Sequence, residues 1–333
     1  MTESVTNPPN LIRFVPAKGR QQPAERLVLA PMASAIGVLR AEASMPGPRD
    51  RTTAIDAPVL PPPKAITVAG SDSGAGAGIQ ADLKTFAALG VYGTSALAAV
   101  TAQNTRGVFA IAEVPEEVVA AQIDAVLEDI GADAGKTGML SSPTIIETVA
   151  DRLEAWGIDK LVVDPVMVAK GGAQLLQPTA IHALKTKLLP LALVVTPNLA
   201  EAEVLSGRAI ASLPDARDAA ARIAALGPRY VVVKGGHREG APIDLVFDGI
   251  DYVELAAERI ETANTHGTGC TFSAAIAAYL ARGDDVHEAI HAAKRYVTDA
   301  LRASYPIGDG HSPVNHFHNV RVAEPSAIAG EDR

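Results

Sequence analysis

The sequence predicts an α/β fold around a mostly parallel central sheet, and three observations predict it. From Lys64 onward, short β-rich runs alternate with amphipathic stretches of helical period, the pattern of βαβ units. The candidate strands 65–69, 161–164, 193–196 and 230–234 are nearly continuous apolar runs, as strands covered on both faces require. Three strands end in glycine-rich or polar turns: Gly70-Ser71-Asp72-Ser73-Gly74, Asp164-Pro165-Val166-Met167 and Thr196-Pro197-Asn198. Open α/β sheets bind ligands beyond the carboxyl ends of their strands, so chemistry is expected at these turns.

The helical spacing predicts helices over 77–89, 115–130, 143–156, 214–226, 267–281 and 286–303. Pro115, Pro143 and Pro214 open three of them, where a missing N–H costs nothing because the first turn lacks intrahelical acceptors. The chain is 48% hydrophobic but only 4% aromatic, which suits a core of small aliphatic side chains. One domain is expected over 64–320. Before it, prolines from Pro8 to Pro63 interrupt every period, so 1–63 reads as a disordered extension. Residues 27–39 also allow a signal-peptide reading, against which Glu25 and Pro31 count. Residues 321–333 read as a flexible tail.

A formal net charge of −9 argues against a nucleic-acid partner, because phosphate-backbone binding needs clustered Lys and Arg. Small molecules are the expected ligands. No apolar run approaches the ~20 residues of a membrane helix, so no membrane partner is expected. The single cysteine, Cys270, excludes an internal disulfide and fits a reducing, cytoplasmic compartment. His311, His316 and His318 cluster near the end without a carboxylate or cysteine at metal-binding spacing.

Two nucleotide motifs fail on spacing. Gly131-Ala132-Asp133-Ala134-Gly135-Lys136-Thr137 has three residues between its glycines, where a Walker phosphate loop needs four. Gly74, Gly76 and Gly78 alternate strictly and miss the dinucleotide pattern, so nicotinamide binding is not expected. The informative segment is Asn264-Thr265-His266-Gly267-Thr268-Gly269-Cys270, directly before an Ala-rich helix. Glycines at a helix start let successive N–H groups converge on an anion, aided by the helix dipole. By itself the segment also reads as a plain glycine-containing helix start.

Seven ordered blocks together resemble hydroxymethylpyrimidine/phosphomethylpyrimidine kinases of the ribokinase-like superfamily. They are residues 70–90, 102–107, Lys136-Thr137-Gly138-Met139-Leu140, Asp164-Pro165-Val166-Met167, Thr196-Pro197-Asn198-Leu199-Ala200-Glu201, Lys234-Gly235-Gly236-His237 and 265–270. The likeness covers about 64–319, including Pro313-Val314-Asn315-His316-Phe317-His318. It leaves the extension outside. Ser73-Gly74-Ala75 departs from the family's usual Pro-Ser-Gly turn, which touches the fit of the substrate.

The resemblance implies a three-layer α/β/α ribokinase-like fold, ATP and Mg2+ as cofactors, and a homodimer. It places ATP phosphates over Gly267, Thr268, Gly269 and Cys270 with Lys234 as the nearby cation; phosphoryl transfer is mainly positioning and charge neutralisation. Asn198 and Glu201 form the family's N-x-x-E magnesium element, joined by Asp164. Asn198 after Thr196-Pro197 also reads as a helix cap. Gln103 is assigned to the substrate, its amide able to pair with an aminopyrimidine edge. Ala77 adds a backbone contact, Asp82 lies nearby in the pocket, and Met139 and Val166 form apolar walls. Cys270 stands where sugar kinases of the superfamily carry an aspartate base; a helix N-terminus and Lys234 should favour its thiolate.

The sequence therefore predicts an ATP-dependent kinase that converts 4-amino-5-hydroxymethyl-2-methylpyrimidine to its monophosphate and then its diphosphate in thiamine biosynthesis. A pyridoxal or pyridoxine kinase of the same superfamily is the near alternative. A catalytically silent nucleotide-binding regulator is the distant one.

Overall fold

The computed structural model describes residues 60–168, 172, 175–235 and 242–320. Most of the expected extension, all of the expected tail, and Gly236 and His237 of the sixth block lie outside these residues. The described strands are β1 (Lys64–Asp72), β2 (Tyr92–Asn104), β3 (Gly107–Glu113), β4 (Ala134–Thr137), β5 (Leu161–Val163), β6 (Val194–Val195), β7 (Tyr230–Val233), β8 (Ile243–Phe247) and β9 (Tyr252–Ala256). They form one nine-stranded sheet in the order β3-β2-β1-β4-β5-β6-β7-β8-β9. The central six pair in parallel, while β3 at one edge and β8 and β9 at the other run antiparallel.

The chain steps from β1 outward to β2 and then returns to place β4 on the other side of β1. That reversal opens a crevice at the carboxyl ends of β1 and β4, where such sheets hold ligands. The helices are α1 (Gly78–Ala88), α2 (Glu116–Asp129), α3 (Pro143–Ala155), α4 (Ala180–Ala183, continuing as tighter and wider turns to Leu191), α5 (Leu199–Ser206), α6 (Leu213–Ala224), α7 (Thr268–Ala281) and α8 (Val286–Arg302). The expected helices at 77–89, 115–130, 143–156, 214–226, 267–281 and 286–303 are all present, with ends shifted by a residue or two.

The strands alternate their side chains between two buried clusters, which makes the fold three-layered. Ile66, Val68, Val231 and Val233 pack against α2 to α6 on one face. Ala65, Val162 and Val232 pack against α1, α7 and α8 on the other. Helix α7 lies deepest, with Ala274, Ala275, Ala277 and Ala278 fully buried. Those methyl-sized side chains bring its backbone against the sheet and keep its first turn at the crevice.

The false phosphate loop is resolved as a strand. Its Lys136 lies in β4 and is 1% exposed. Strands β2, β3, β4, β8 and β9 are not among those expected from the sequence: β4, β8 and β9 are broken by polar residues such as Lys136, Asp244 and Glu254, whereas β2 and β3 hold apolar runs at 96–100 and 108–112 that went unused.

Candidate active site

A cavity of about 560 Å³ opens at the carboxyl ends of the central strands, over the start of α7. Its lining unites Ala77, Gln103, Met139, Asp164, Val166, Asn198, Glu201, Lys234, Gly267, Thr268, Gly269 and Cys270. These come from seven separate stretches of chain.

The candidate anion loop stands at the amino end of α7, whose N-cap Gly267 has φ +76° and no side-chain cap. A Cβ there would overlap the Gly76 carbonyl oxygen, so the residue must be glycine on two counts: handedness and contact. The amides of Gly269 and Cys270 have no intrahelical acceptor by position and are free for an anion. The Thr268 hydroxyl is already committed, donating to the Thr265 carbonyl at 2.7 Å.

Under this loop Lys234 Nζ donates to Asp164 Oδ1 at 2.9 Å. Burial opposes the Asp164 charge, but the Lys234 and Lys136 ammonium groups outweigh it and hold the carboxyl below its usual range. Thr196 and Ser273 hydroxyls add bonds to the same carboxylate, each at 3.3 Å. Burial also opposes the Lys234 charge, and Asp164 and Glu201 reverse that and raise its pKa.

Asn198 and Glu201 form a reciprocal cap on α5. Asn198 Oδ1 accepts from the Glu201 N–H at 2.9 Å, and Glu201 Oε2 accepts from the Asn198 N–H at 2.8 Å. The helix-cap reading of Asn198 is therefore realised, and it orients Glu201 into the cavity. Burial pushes the Glu201 carboxyl up to about 7, with Asp164 adding to the effect against Lys234. Among the described residues no group of three or more His, Cys, Asp or Glu is arranged to hold a metal ion. The donors fit a magnesium ion that keeps most of its water, since such ions take few direct protein ligands; they do not form an all-protein cage.

Two expectations are corrected. Asp82 is 0% exposed and lies beneath the cavity floor, where its Oδ2 accepts from Lys136 Nζ at 2.8 Å and from the Thr67 hydroxyl at 2.7 Å. It pairs with a buried cation and does not face a ligand. The Cys270 thiol is not favoured as a thiolate: burial pushes it up to about 11, and Lys136, not Lys234, is the main cation pulling the other way. The backbone of Ala77 is also engaged: its N–H donates to Asp72 Oδ2 at 2.8 Å and its carbonyl accepts the Ala81 N–H at 3.2 Å.

Asp72, Lys136 and His266 also line the cavity, and none of them carries a role expected from the sequence. A charged residue inside or at the end of an apolar strand was the available signal. For Lys136 the false phosphate loop obscured it.

The phosphomethylpyrimidine kinase family profile matches residues 72–315. The chain belongs to that family. Hydroxymethylpyrimidine/phosphomethylpyrimidine kinases of Rhizobium meliloti and Bacillus subtilis are 56% and 48% identical to it, each over 76% of this chain and over 97% and 94% of their own lengths. The thiamine biosynthesis bifunctional protein ThiED of Geobacter sulfurreducens is 52% identical over 86% of this chain, which spans only 59% of that longer protein. Among solved structures, the phosphomethylpyrimidine kinase of Clostridium difficile superposes with a TM-score of 0.65 at 43% identity, covering 72% of this chain and 99% of that one. The ADP complex of Bacillus subtilis pyridoxal kinase gives 0.72 at 43% identity, covering 77% and 98%. The kinase is thus a phosphotransferase with the ribokinase-like fold.

Proposed function

We propose that this kinase transfers the γ-phosphoryl group of ATP to 4-amino-5-hydroxymethyl-2-methylpyrimidine and then to its monophosphate, in thiamine biosynthesis. One observation carries the reading: a glycine-built anion loop with a lysine beneath it and an amide-bearing Gln103 line a single cavity. The names of the relatives support the substrate class.

ATP phosphates rest on the amides of Gly269 and Cys270, with Lys234 neutralising the transferring group. Asp164 and Glu201 would hold a magnesium ion through water, and that ion would neutralise charge between the phosphates. Met139 and Val166 flank the flat ring, and Gln103 pairs with its polar edge. In the first transfer the substrate hydroxyl attacks the γ-phosphorus: the new O–P bond forms as the bond to the bridging oxygen breaks and ADP leaves. The hydroxyl proton passes to Cys270, which acts from the small thiolate fraction that a thiol pushed up to about 11 keeps near neutral pH. In the second transfer the acceptor is a phosphate oxygen already ionised near neutral pH, so no base is needed.

Val100 and Phe109, 48% and 60% exposed on the β2–β3 hairpin, support the proposed homodimer. Among the described residues no helix is long and apolar enough to cross a membrane, and we place the kinase in the cytoplasm. Pyridoxal is the second substrate reading, favoured by similarity to the Staphylococcus aureus pyridoxal kinase solved with AMP-PCP and pyridoxal, at TM-score 0.71 and 39% identity. ATP consumption measured separately with the hydroxymethylpyrimidine, its monophosphate and pyridoxal tests the proposal. Turnover of pyridoxal alone would refute it.

A further inference from the structure

Gln103 stands at the carboxyl end of β2 with its amide between two partners. Its Oε1 lies 3.2 Å from Thr101 Oγ1, and its Nε2 lies 3.4 Å from His266 Nε2. Neither contact has a hydrogen in the right place. Thr101 has a single hydroxyl hydrogen, and its Oγ1 is 2.7 Å from the Ser71 carbonyl oxygen, which can only accept. Nothing is left to donate to Gln103 Oε1. On the other side, His266 Nε2 is 2.8 Å from Asp72 Oδ2. That carboxylate also accepts the N–H groups of Gly74, Gly76 and Ala77. Burial opposes its charge, but the His266 hydrogen bond and these amides hold it below the usual carboxylate range. An ionised carboxylate only accepts, so His266 Nε2 carries a hydrogen and cannot accept one from Gln103.

Turning the amide by 180° repairs both contacts at once. Nε2 then donates to Thr101 Oγ1, and Oε1 accepts a second, weaker share of the His266 N–H. Amide oxygen and nitrogen are distinguished by their hydrogen-bond partners, not by shape, so the turned amide is the one the network requires. The imidazole that imposes it is itself locked. The backbone of His266 bonds Ser312 O at 3.1 Å and Val314 N at 3.3 Å, and its ring packs on Gly76, where a Cβ would collide with it.

We propose that His266 is a positioning and specificity-determining residue that fixes the Gln103 amide, so that a ligand meets a donor on the Thr101 side and an acceptor on the His266 side. One N–H and one lone pair remain free after the internal bonds are made. They match a ring edge with an acceptor nitrogen beside an exocyclic amine, in one register. They clash with an edge on which donor and acceptor are exchanged, as in a pyrimidinone. The inference rests on the reading of Gln103 as the group that meets the ring.

The test compares 4-amino-5-hydroxymethyl-2-methylpyrimidine with 5-hydroxymethyl-2-methylpyrimidin-4-one, by calorimetric binding and by KM. Unpaired polar groups in a desolvated site cost enough that the wild-type protein should favour the amino compound by roughly 10- to 100-fold. His266→Phe keeps a ring but removes the N–H, so the amide can turn and the ratio should fall toward one, with the KM for ATP little changed. His266→Gln, which restores an N–H donor, should recover most of the preference. Thr101→Val loosens the other end of the amide without touching Asp72; it should lower the ratio too, and it serves where His266→Phe fails to fold. Wild-type protein that binds both compounds equally, or neither, overturns the inference. So does His266→Phe that weakens both compounds and ATP alike with the ratio intact, the mark of a structural role. Preferential binding of the amino compound without turnover would instead uphold the inference and sink the proposed reaction.

Discussion

Replacing Lys136 by Met should destabilise the fold severely, in a way that acid relieves. Lys136 and Asp82 both have 0% exposed side chains and meet at 2.8 Å, so Lys136→Met strands a carboxylate where water cannot reach it. Losing one partner of a buried pair costs about 3–5 kcal/mol, or roughly 10 °C of melting temperature for a domain of this size. Asp82 Oδ1 already lacks a partner, so little else can absorb the charge. Burial raises the Asp82 pKa above its ordinary 3.8 even with Lys136 opposing it, and without Lys136 it must rise further. For a carboxyl raised in the folded state, the penalty is complete above the folded pKa and fades as pH falls through it toward 3.8. The deficit should therefore be large at pH 8 and distinctly smaller at pH 5. Asp82→Leu with Lys136→Met should recover most of the loss, since replacing a whole buried pair by apolar groups is near neutral, less about 1 kcal/mol for the orphaned Thr67 hydroxyl. Denaturant midpoints at both pH values provide the assay. A single variant within 1 kcal/mol of wild type, equal deficits at the two pH values, or a double variant no better than the single would refute the reasoning.

Cys270 is the chain's one cysteine, so alkylation by iodoacetamide reports it alone; with its thiol pushed up to about 11, the rate should climb about tenfold per pH unit from neutral, and a plateau near pH 7 would contradict that burial. Cys270→Ser should slow monophosphate formation strongly and diphosphate formation much less, because only the first acceptor must lose a proton; equal losses measured for the two steps would leave packing as its role. Gly267→Ala should raise the KM for ATP by at least about tenfold, since its φ of +76° and the Gly76 oxygen exclude a methyl, and unchanged nucleotide affinity in a titration would count against the anion loop. Gln103→Ala should weaken the pyrimidine by about 1–3 kcal/mol and leave ATP affinity alone; equal damage to both in KM measurements would make it a structural glutamine. The lining of the cavity lies between Gly70 and Leu301, so a protein lacking residues 1–59 should keep its KM values within about twofold.

The sequence by itself determined the layers and named most of the residues that the fold gathers around one cavity. Apolar runs at 65–69, 161–164, 193–196 and 230–234 are buried strands because only a two-sided core accepts an unbroken apolar face. The glycine spacing before α7 made a candidate anion loop legible because handedness and close approach both demand glycine at 267, a demand its local spacing announces. What the tertiary structure alone decided depends on who meets whom across long separations. Asp82 belongs to Lys136, 54 residues away; Asp72 belongs to His266, 194 residues away. No local pattern distinguishes a carboxylate that faces a ligand from one that neutralises a buried lysine. The state of Cys270 was misjudged for the same reason: a helix start and a nearby lysine are visible in the sequence, whereas desolvation, the larger effect here, exists only once the sheet and helices have closed around the thiol.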